Sequence, residues 1–332
     1  MPTVVSLLPQ DKFVSANVRV PDDFTIRFLD SVSDQSIIKA CEGADCLFTP
    51  ASVSRINAFI LENIPSIKII QTMGVGFDHV DLTAAVRLHI PVANVPGANA
   101  TAVAEHTLGM LIALQRRLLE SDAQIKAGNY AAYRNVLLRE GIQEIRGSKI
   151  GLVGFGNIGR SFAKIVLALG ATVSYYAPHR LFPEAELQFS VEFQPLDELL
   201  ATSDVVSLHL PLNDHTRGLI GARELALMTP GSFLINTARG EILDQTALAA
   251  TLESARLAGV ALDTLSPEPP EDGHPLLHLS AAAARRLLLT PHTAGVTLGS
   301  YKRMIEAALE NMARVVRGEK PANVVNGISE RR

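Results

Sequence analysis

Lys149-Ile-Gly-Leu-Val153, then Gly154-Phe-Gly156-Asn157-Ile158-Gly159, then the helical run beginning at Arg160 decide how this chain folds. A short apolar strand, a G-x-G-x-x-G loop and a helix follow one another without a gap. The first glycine permits a tight turn, the second lets a phosphate approach the backbone, and the third lets helix and strand pack closely. Unpaired N–H groups at the helix start then suit a pyrophosphate. The predicted unit is the first βα turn of a dinucleotide-binding sheet.

Downstream, apolar runs at residues 172–176, 205–208, 232–236, 259–262 and 287–289 alternate with helical patterns. Upstream, runs at 3–8, 24–29, 46–49, 67–72 and 91–95 alternate with helical spacing at 33–41, 54–62 and 82–89. Strand-helix alternation predicts parallel sheets covered on both faces. The expected class is α/β, with two doubly wound parallel-sheet domains and the natural site in the cleft between them. A long amphipathic helix is expected over 102–126, a polar irregular stretch over 127–147, and a final helix over 300–317.

Composition narrows the possible functions. The chain has 332 residues, 47% hydrophobic and 19% charged, with a formal charge of −4 and no long Lys/Arg run. That disfavours nucleic acid or an anionic membrane as partner. The N-terminal segment has no basic region before its apolar run, which Pro9 soon breaks, so a signal peptide is not expected and a cytoplasmic location is. Cys41 and Cys46 read as small core residues, and no His/Cys/Asp group has metal-ligand spacing.

The end of the second strand of the dinucleotide unit bears on which nucleotide binds. An NAD site places an acid there, about 20 residues after the loop, against the ribose hydroxyls. Here the strand runs into Ala177-Pro178-His179-Arg180, with no Asp or Glu from 145 to 182. Ala177 removes the carboxylate that would repel a 2′-phosphate, and Arg180 is a candidate cationic partner for one. The expectation is NAD(P), leaning towards NADP(H).

Three later strand ends carry titratable or charged groups: Asn236-Thr237-Ala238-Arg239-Gly240, Asp263 to Glu268-Pro269, and Pro291-His292-Thr-Ala-Gly295. Ligands of open α/β sheets bind outside the carboxyl ends of strands, so these groups are expected beside a bound nicotinamide.

These segments resemble the D-isomer-specific 2-hydroxyacid dehydrogenases, particularly those reducing glyoxylate or hydroxypyruvate. The likeness extends to Ser203–Pro211 with Thr216, Gly74-Val75-Gly76-Phe-Asp78-His-Val-Asp81, Asn94-Val-Pro-Gly97 and Val103-Ala-Glu105. It implies a flavodoxin-like substrate domain from residues 1–101 and 294–332, a Rossmann cofactor domain over 102–293, and a homodimer built on the long helix. It implies that His292 is the acid-base, that Glu268 orients it and favours its protonated form, and that Arg239 binds the substrate carboxylate. Backbone N–H groups of Val75 and Gly76 would hold the other carboxylate oxygen. Asp263 would bind the nicotinamide carboxamide. His209, Pro211, Thr216, Thr237, Ala238 and Gly295 would line the cofactor, with Ala177, His179 and Arg180 at its adenosine end.

Other readings on the same fold are formate or phosphite oxidation and a nucleotide-sensing co-repressor module. Formate dehydrogenases pair their histidine with Gln, whereas position 268 is Glu, and the co-repressors usually carry long disordered tails. The chain ends soon after its terminal helix, which disfavours the regulatory domain of some phosphoglycerate dehydrogenases. The substrate side chain is not specified, although loops near 51–54 and 73–77 are expected to shape its pocket.

Overall fold

A computed structural model describes residues 1–22, 24–29, 32–50 and 55–331. The chain divides into two compact units, Met1–Asn99 with Val296–Arg332, and Ala100–Gly295.

The first unit is built on five parallel strands: β1 (Thr3–Ser6), β2 (Thr25–Phe28), β3 (Cys46–Thr49), β4 (Ile69–Thr72) and β5 (Val92–Ala93), ordered β2-β1-β3-β4-β5. β3 and β4 are buried at every position, as strands covered on both faces must be. Side chains alternate between two apolar layers. Val4, Phe48 and Ile69 pack with Met304, Ile305 and Met312 of the helix Leu298–Val316. Val5, Leu47 and Ile70 face the other layer, with Ile37, Ile60 and Ala85 from three short helices. Cys41 belongs to this second layer and Cys46 to the first, so the two free thiols lie on opposite faces of the sheet.

Helix starts follow the side chains that cap them. Ser33, Asn57, Asp81 and Thr297 each accept a backbone N–H three residues on, satisfying a donor with no partner inside the helix. The helix expected over 54–62 therefore begins at Ala58, and residues 51–54, expected to help shape the pocket, lie outside the described residues.

The second unit has seven parallel strands: β6 (Lys149–Val153), β7 (Thr172–Tyr176), β8 (Glu192–Phe193), β9 (Val205–Leu208), β10 (Phe233–Asn236), β11 (Gly259–Leu262) and β12 (Leu287–Leu289). Their order, β12-β11-β10-β9-β6-β7-β8, reverses direction between β6 and β9. That reversal is the switch point where doubly wound sheets bind ligands. β8 escapes a sequence reading because an edge strand of two residues leaves no alternation to detect.

Two helical expectations need correction. The helix expected over 102–126 is two, Ala100–Gln115 and Leu118–Lys126, broken where Arg117 adopts a left-handed conformation at φ 49°. An arginine carries no sequence signal for such a break, which glycine usually marks. The first piece buries eight of its residues within the unit, whereas the second buries none. The stretch expected to be irregular over 127–147 contains the helix Tyr130–Glu140, joined to the break by an Arg117–Glu140 ion pair at 2.7 Å. Tyr133 is its only buried side chain, so it has almost no apolar stripe to reveal it. Among the described residues no helix is long and apolar enough to cross a membrane.

Candidate active site

The glycine loop lies at the switch point. Gly154 has φ +102°, and a side chain there would come within 2.5 Å of the His209 carbonyl oxygen, at the end of β9. Any other residue would push the two strand ends apart. At Gly159 a side chain would meet the Gly154 carbonyl at the same distance, so the helix Asn157–Ala168 starts tight against the turn. At Gly156, by contrast, a side chain would meet nothing within 4 Å. The helix start at Asn157 and Ile158 thus has open space before it and N–H groups without intrahelical partners, which suits a pyrophosphate.

His209 ends β9 with its backbone N–H donated to Val153 at 2.8 Å. Its imidazole is buried against Phe162, with Nε2 3.0 Å from Ser207 Oγ and a buried, unpartnered Nδ1. Burial pushes this histidine down to about 3, so the ring is neutral at ordinary pH. Thr216 donates its hydroxyl to the Pro211 carbonyl at 2.7 Å and accepts the Asn213 N–H, bracing the loop after β9. Thr237 and Ala238 are buried where β10 ends, with Thr237 Oγ1 3.2 Å from Thr107 Oγ1.

At the end of β7, Ala177 is half-buried and His179 and Arg180 are exposed. Arg180 does not stand as an isolated cation. Its Nε and Nη2 bind both oxygens of Glu186, at 2.9 and 2.8 Å, and Glu186 also accepts the Tyr175 hydroxyl. The Arg180 guanidinium holds the Glu186 carboxyl below the usual range. The carboxylate missing from 145–182 arrives four residues later, on the helix Pro183–Phe189, and masks the cation that sequence reading left unpaired.

The Arg, Glu and His groups follow β10, β11 and β12. Asn236 folds the turn after β10, accepting the Ala238 N–H at 2.9 Å and donating to the Arg239 carbonyl at 2.7 Å. Gly240 is packed so closely that a side chain would lie 2.2 Å from the Leu265 carbonyl. The Arg239 turn and the loop carrying Glu268 are thereby pressed together. Glu268 accepts the Leu265 N–H through Oε1 at 2.9 Å, and its Oε2 lies 2.8 Å from His292 Nδ1. Burial pushes the Glu268 carboxyl up, but His292, the Leu265 N–H and the charge of Arg239 together bring it below the usual carboxylate range.

His292 itself has φ +53°, a left-handed backbone that costs a β-substituted residue free energy unless the surroundings hold it. Asp263 does so. Its carbonyl accepts the His292 N–H at 2.7 Å, and its buried carboxylate accepts the N–H groups of Thr293 and Ala294, both at 2.9 Å, and the Thr290 hydroxyl. His106 also reaches this cluster, 3.1 Å from Thr290 Oγ1 and 3.6 Å from Asp263. A lone histidine in a helix gives no sequence signal of such a contact. Gly295, half-buried, closes the loop. In the other unit, Val75 is exposed and Gly76 half-buried in the loop after β4.

Residues 108–294 match the profile of the D-isomer specific 2-hydroxyacid dehydrogenase, NAD binding domain. A glyoxylate reductase of Aeropyrum pernix is 36% identical over 295 residues, 88% of this chain and 86% of the relative. The TT0316 protein from Thermus thermophilus superposes with a TM-score of 0.82 at 34% identity, covering 98% of this chain and 100% of its own. The holo form of Rhodotorula graminis D-mandelate dehydrogenase gives a TM-score of 0.86 at 25% identity, covering 100% and 99%. With a dinucleotide loop at the switch point and an Arg, Glu and His set on the neighbouring strand ends, the chain belongs to the D-isomer specific 2-hydroxyacid dehydrogenase family of enzymes.

Proposed function

We propose that the protein transfers hydride between NAD(P)H and a small 2-oxo acid such as glyoxylate or hydroxypyruvate, forming the 2-hydroxy acid. The observation that carries this reading is the His292–Glu268 pair at 2.8 Å on the unit that bears the glycine loop, with Arg239 close enough to lower the Glu268 carboxyl. The glyoxylate reductase of Aeropyrum pernix supports the substrate class.

The nicotinamide, when bound, supplies the hydride that reaches the carbonyl carbon. His292 directs Nδ1 to Glu268, which leaves Nε2 to give a proton to the carbonyl oxygen and to take it back in the reverse direction. Glu268 fixes the ring through that contact. Arg239 binds the substrate carboxylate with its planar fork, and Val75 and Gly76 offer backbone N–H groups of the kind a carboxylate accepts. Gly154, Gly156, Asn157, Ile158 and Gly159 hold the pyrophosphate. His209, Pro211, Thr216, Thr237, Ala238, Asp263 and Gly295 line the remainder of the cofactor, and Ala177, His179 and Arg180 face its adenosine end.

NADP(H) is the preferred nucleotide in this reading because Ala177 leaves the end of β7 without a repelling carboxylate. The Arg180–Glu186 pair is neutral as a unit, so the preference rests on Ala177. The domain of residues 102–293 is assigned to the nucleotide, and residues 1–101 with 294–332 to the acid. A homodimer is the expected assembly. Leu118, Leu119, Ile125, Tyr130 and Leu138 are all at least half exposed on the two helices after Arg117, and a copy of this surface would cover them. A cytoplasmic location agrees with two free cysteines.

The test is oxidation of NADH and NADPH in the presence of glyoxylate, hydroxypyruvate, pyruvate and a longer 2-oxo acid. Turnover with none of them would overturn the function. A strong preference for NADH would overturn the nucleotide assignment, and a monomer by light scattering the assembly.

A further inference from the structure

The loop Gly74-Val75-Gly76 is held by its carbonyl oxygens from one side. Gly74 C=O accepts the Val95 N–H at 2.9 Å and the Thr72 hydroxyl at 3.2 Å. Val75 C=O accepts Nδ2 of Asn94 at 2.9 Å. Asn94 is itself fixed, buried at the end of β5 with its backbone N–H donated to Asn323 at 3.2 Å.

The peptide bonds of this loop are trans. In a trans peptide the carbonyl and the N–H of the next residue point in opposite directions across a rigid plane. Tying down Gly74 C=O therefore aims the Val75 N–H away from the ends of β4 and β5. Tying down Val75 C=O does the same for the Gly76 N–H. Two successive N–H groups facing the same way form an anion-binding concavity. Among the described residues neither donates to any acceptor.

We propose that Thr72 and Asn94 are positioning residues that aim this N–H pair at the carboxylate of the acid substrate. The proposal rests on the reading that Val75 and Gly76 bind that carboxylate. Asn94 suits the task because its amide donates. An aspartate would present lone pairs to the Val75 carbonyl and turn the peptide over, and an alanine would leave that peptide free to rotate.

The experiment compares Asn94→Asp, Asn94→Ala and Thr72→Val with Asn326→Ala. Asn326 also ties β5 through its side chain, accepting the Val92 N–H at 3.1 Å and donating to Ile90 at 2.8 Å, away from the loop. KM and kcat for glyoxylate, the NADPH dissociation constant by fluorescence, oxalate affinity of the NADPH-loaded enzyme by calorimetry, and Tm are measured for each. Both Asn94 variants should raise KM and the oxalate Kd about tenfold or more, with kcat within about threefold and the NADPH Kd unchanged. Thr72→Val should do so more weakly, and Asn326→Ala should lower Tm without moving KM. Asn94 variants within about twofold of wild type in both KM and oxalate Kd would overturn the proposal, as would an equal rise in Asn326→Ala. Should wild type turn over no 2-oxo acid, the proposed function falls, and the oxalate measurements still decide this one.

Discussion

His292 Nδ1 and Glu268 Oε2 lie 2.8 Å apart although 24 residues separate them in sequence. A hydrogen bond at Nδ1 leaves Nε2 as the nitrogen that can exchange a proton with substrate. His292→Gln should lower kcat by about 10²–10⁴ with the nucleotide dissociation constant unchanged, measured by steady-state kinetics and fluorescence titration. Arg239→Ala should act instead chiefly through KM for the acid. Near wild-type rates in both variants would remove the mechanism.

The carboxylate of this pair also sets a pH dependence. Burial opposes its charge, but His292, the Leu265 N–H and Arg239 outweigh burial, and the folded carboxyl lies below its unfolded value. A depressed carboxyl contributes stability above the unfolded value and loses it as pH falls through the folded one. Because the group is partly exposed, that contribution is below about 1 kcal/mol. The larger effect is on rate. Glu268→Gln should lower kcat for 2-oxo acid reduction by about tenfold or more, because the His292 ring loses the carboxylate that holds it 2.8 Å away. An unchanged kcat would separate Glu268 from proton transfer.

Glu186 masks Arg180 through two bonds of 2.8 and 2.9 Å. Glu186→Gln should release a full positive charge beside Ala177 and raise the ratio of kcat/KM for NADPH over NADH by about tenfold. A ratio that does not rise would place Arg180 out of reach of the 2′-phosphate.

How much of this was legible in the residues differs by element. Buried strands such as Cys46–Thr49 and Gly259–Leu262 read correctly because a continuous apolar run bounded by turns has few alternatives. The glycine loop could be read because three backbone demands fall at fixed spacing. The break at Arg117 could not, since a left-handed arginine looks like any other arginine. The Arg180–Glu186 pair was hidden for a different reason. It depends on where the helix after β7 places its first turn, a tertiary fact that spacing along the chain does not carry. Likewise Asn94 reads as a motif residue, while the carbonyl it holds is 19 positions away.

Gly240 tests how the site is assembled. A methyl group there would lie 2.2 Å from the backbone of Leu265, which cannot yield without moving the Glu268 loop. Gly240→Ala should cost about 3 kcal/mol by denaturant unfolding and lower kcat in the fraction that folds. Wild-type stability and activity in this variant would show that the two loops are not held in register by that contact.

His209 predicts an acid weakness distinct from that of the carboxylates. Its folded value of about 3 lies below the ordinary value of 6.5, so the unfolded chain binds the extra proton first. Stability therefore falls as pH drops from 6.5 towards 3, by up to about 1.4 kcal/mol per unit, and is regained as pH rises. Between pH 6.5 and 5, where carboxylates stay ionised, His209→Gln should flatten the decline in Tm. An equally steep decline would assign it to other groups.

The two cysteines, one in each apolar layer of the first sheet, give that unit a built-in clock. Both thiols are sealed from water, and burial pushes each up to about 12, so the reactive thiolate is scarce while the sheet is intact. A thiol reagent can label either one only after its own layer has opened. Following the two labels separately over time would reveal whether the layers loosen together or one before the other.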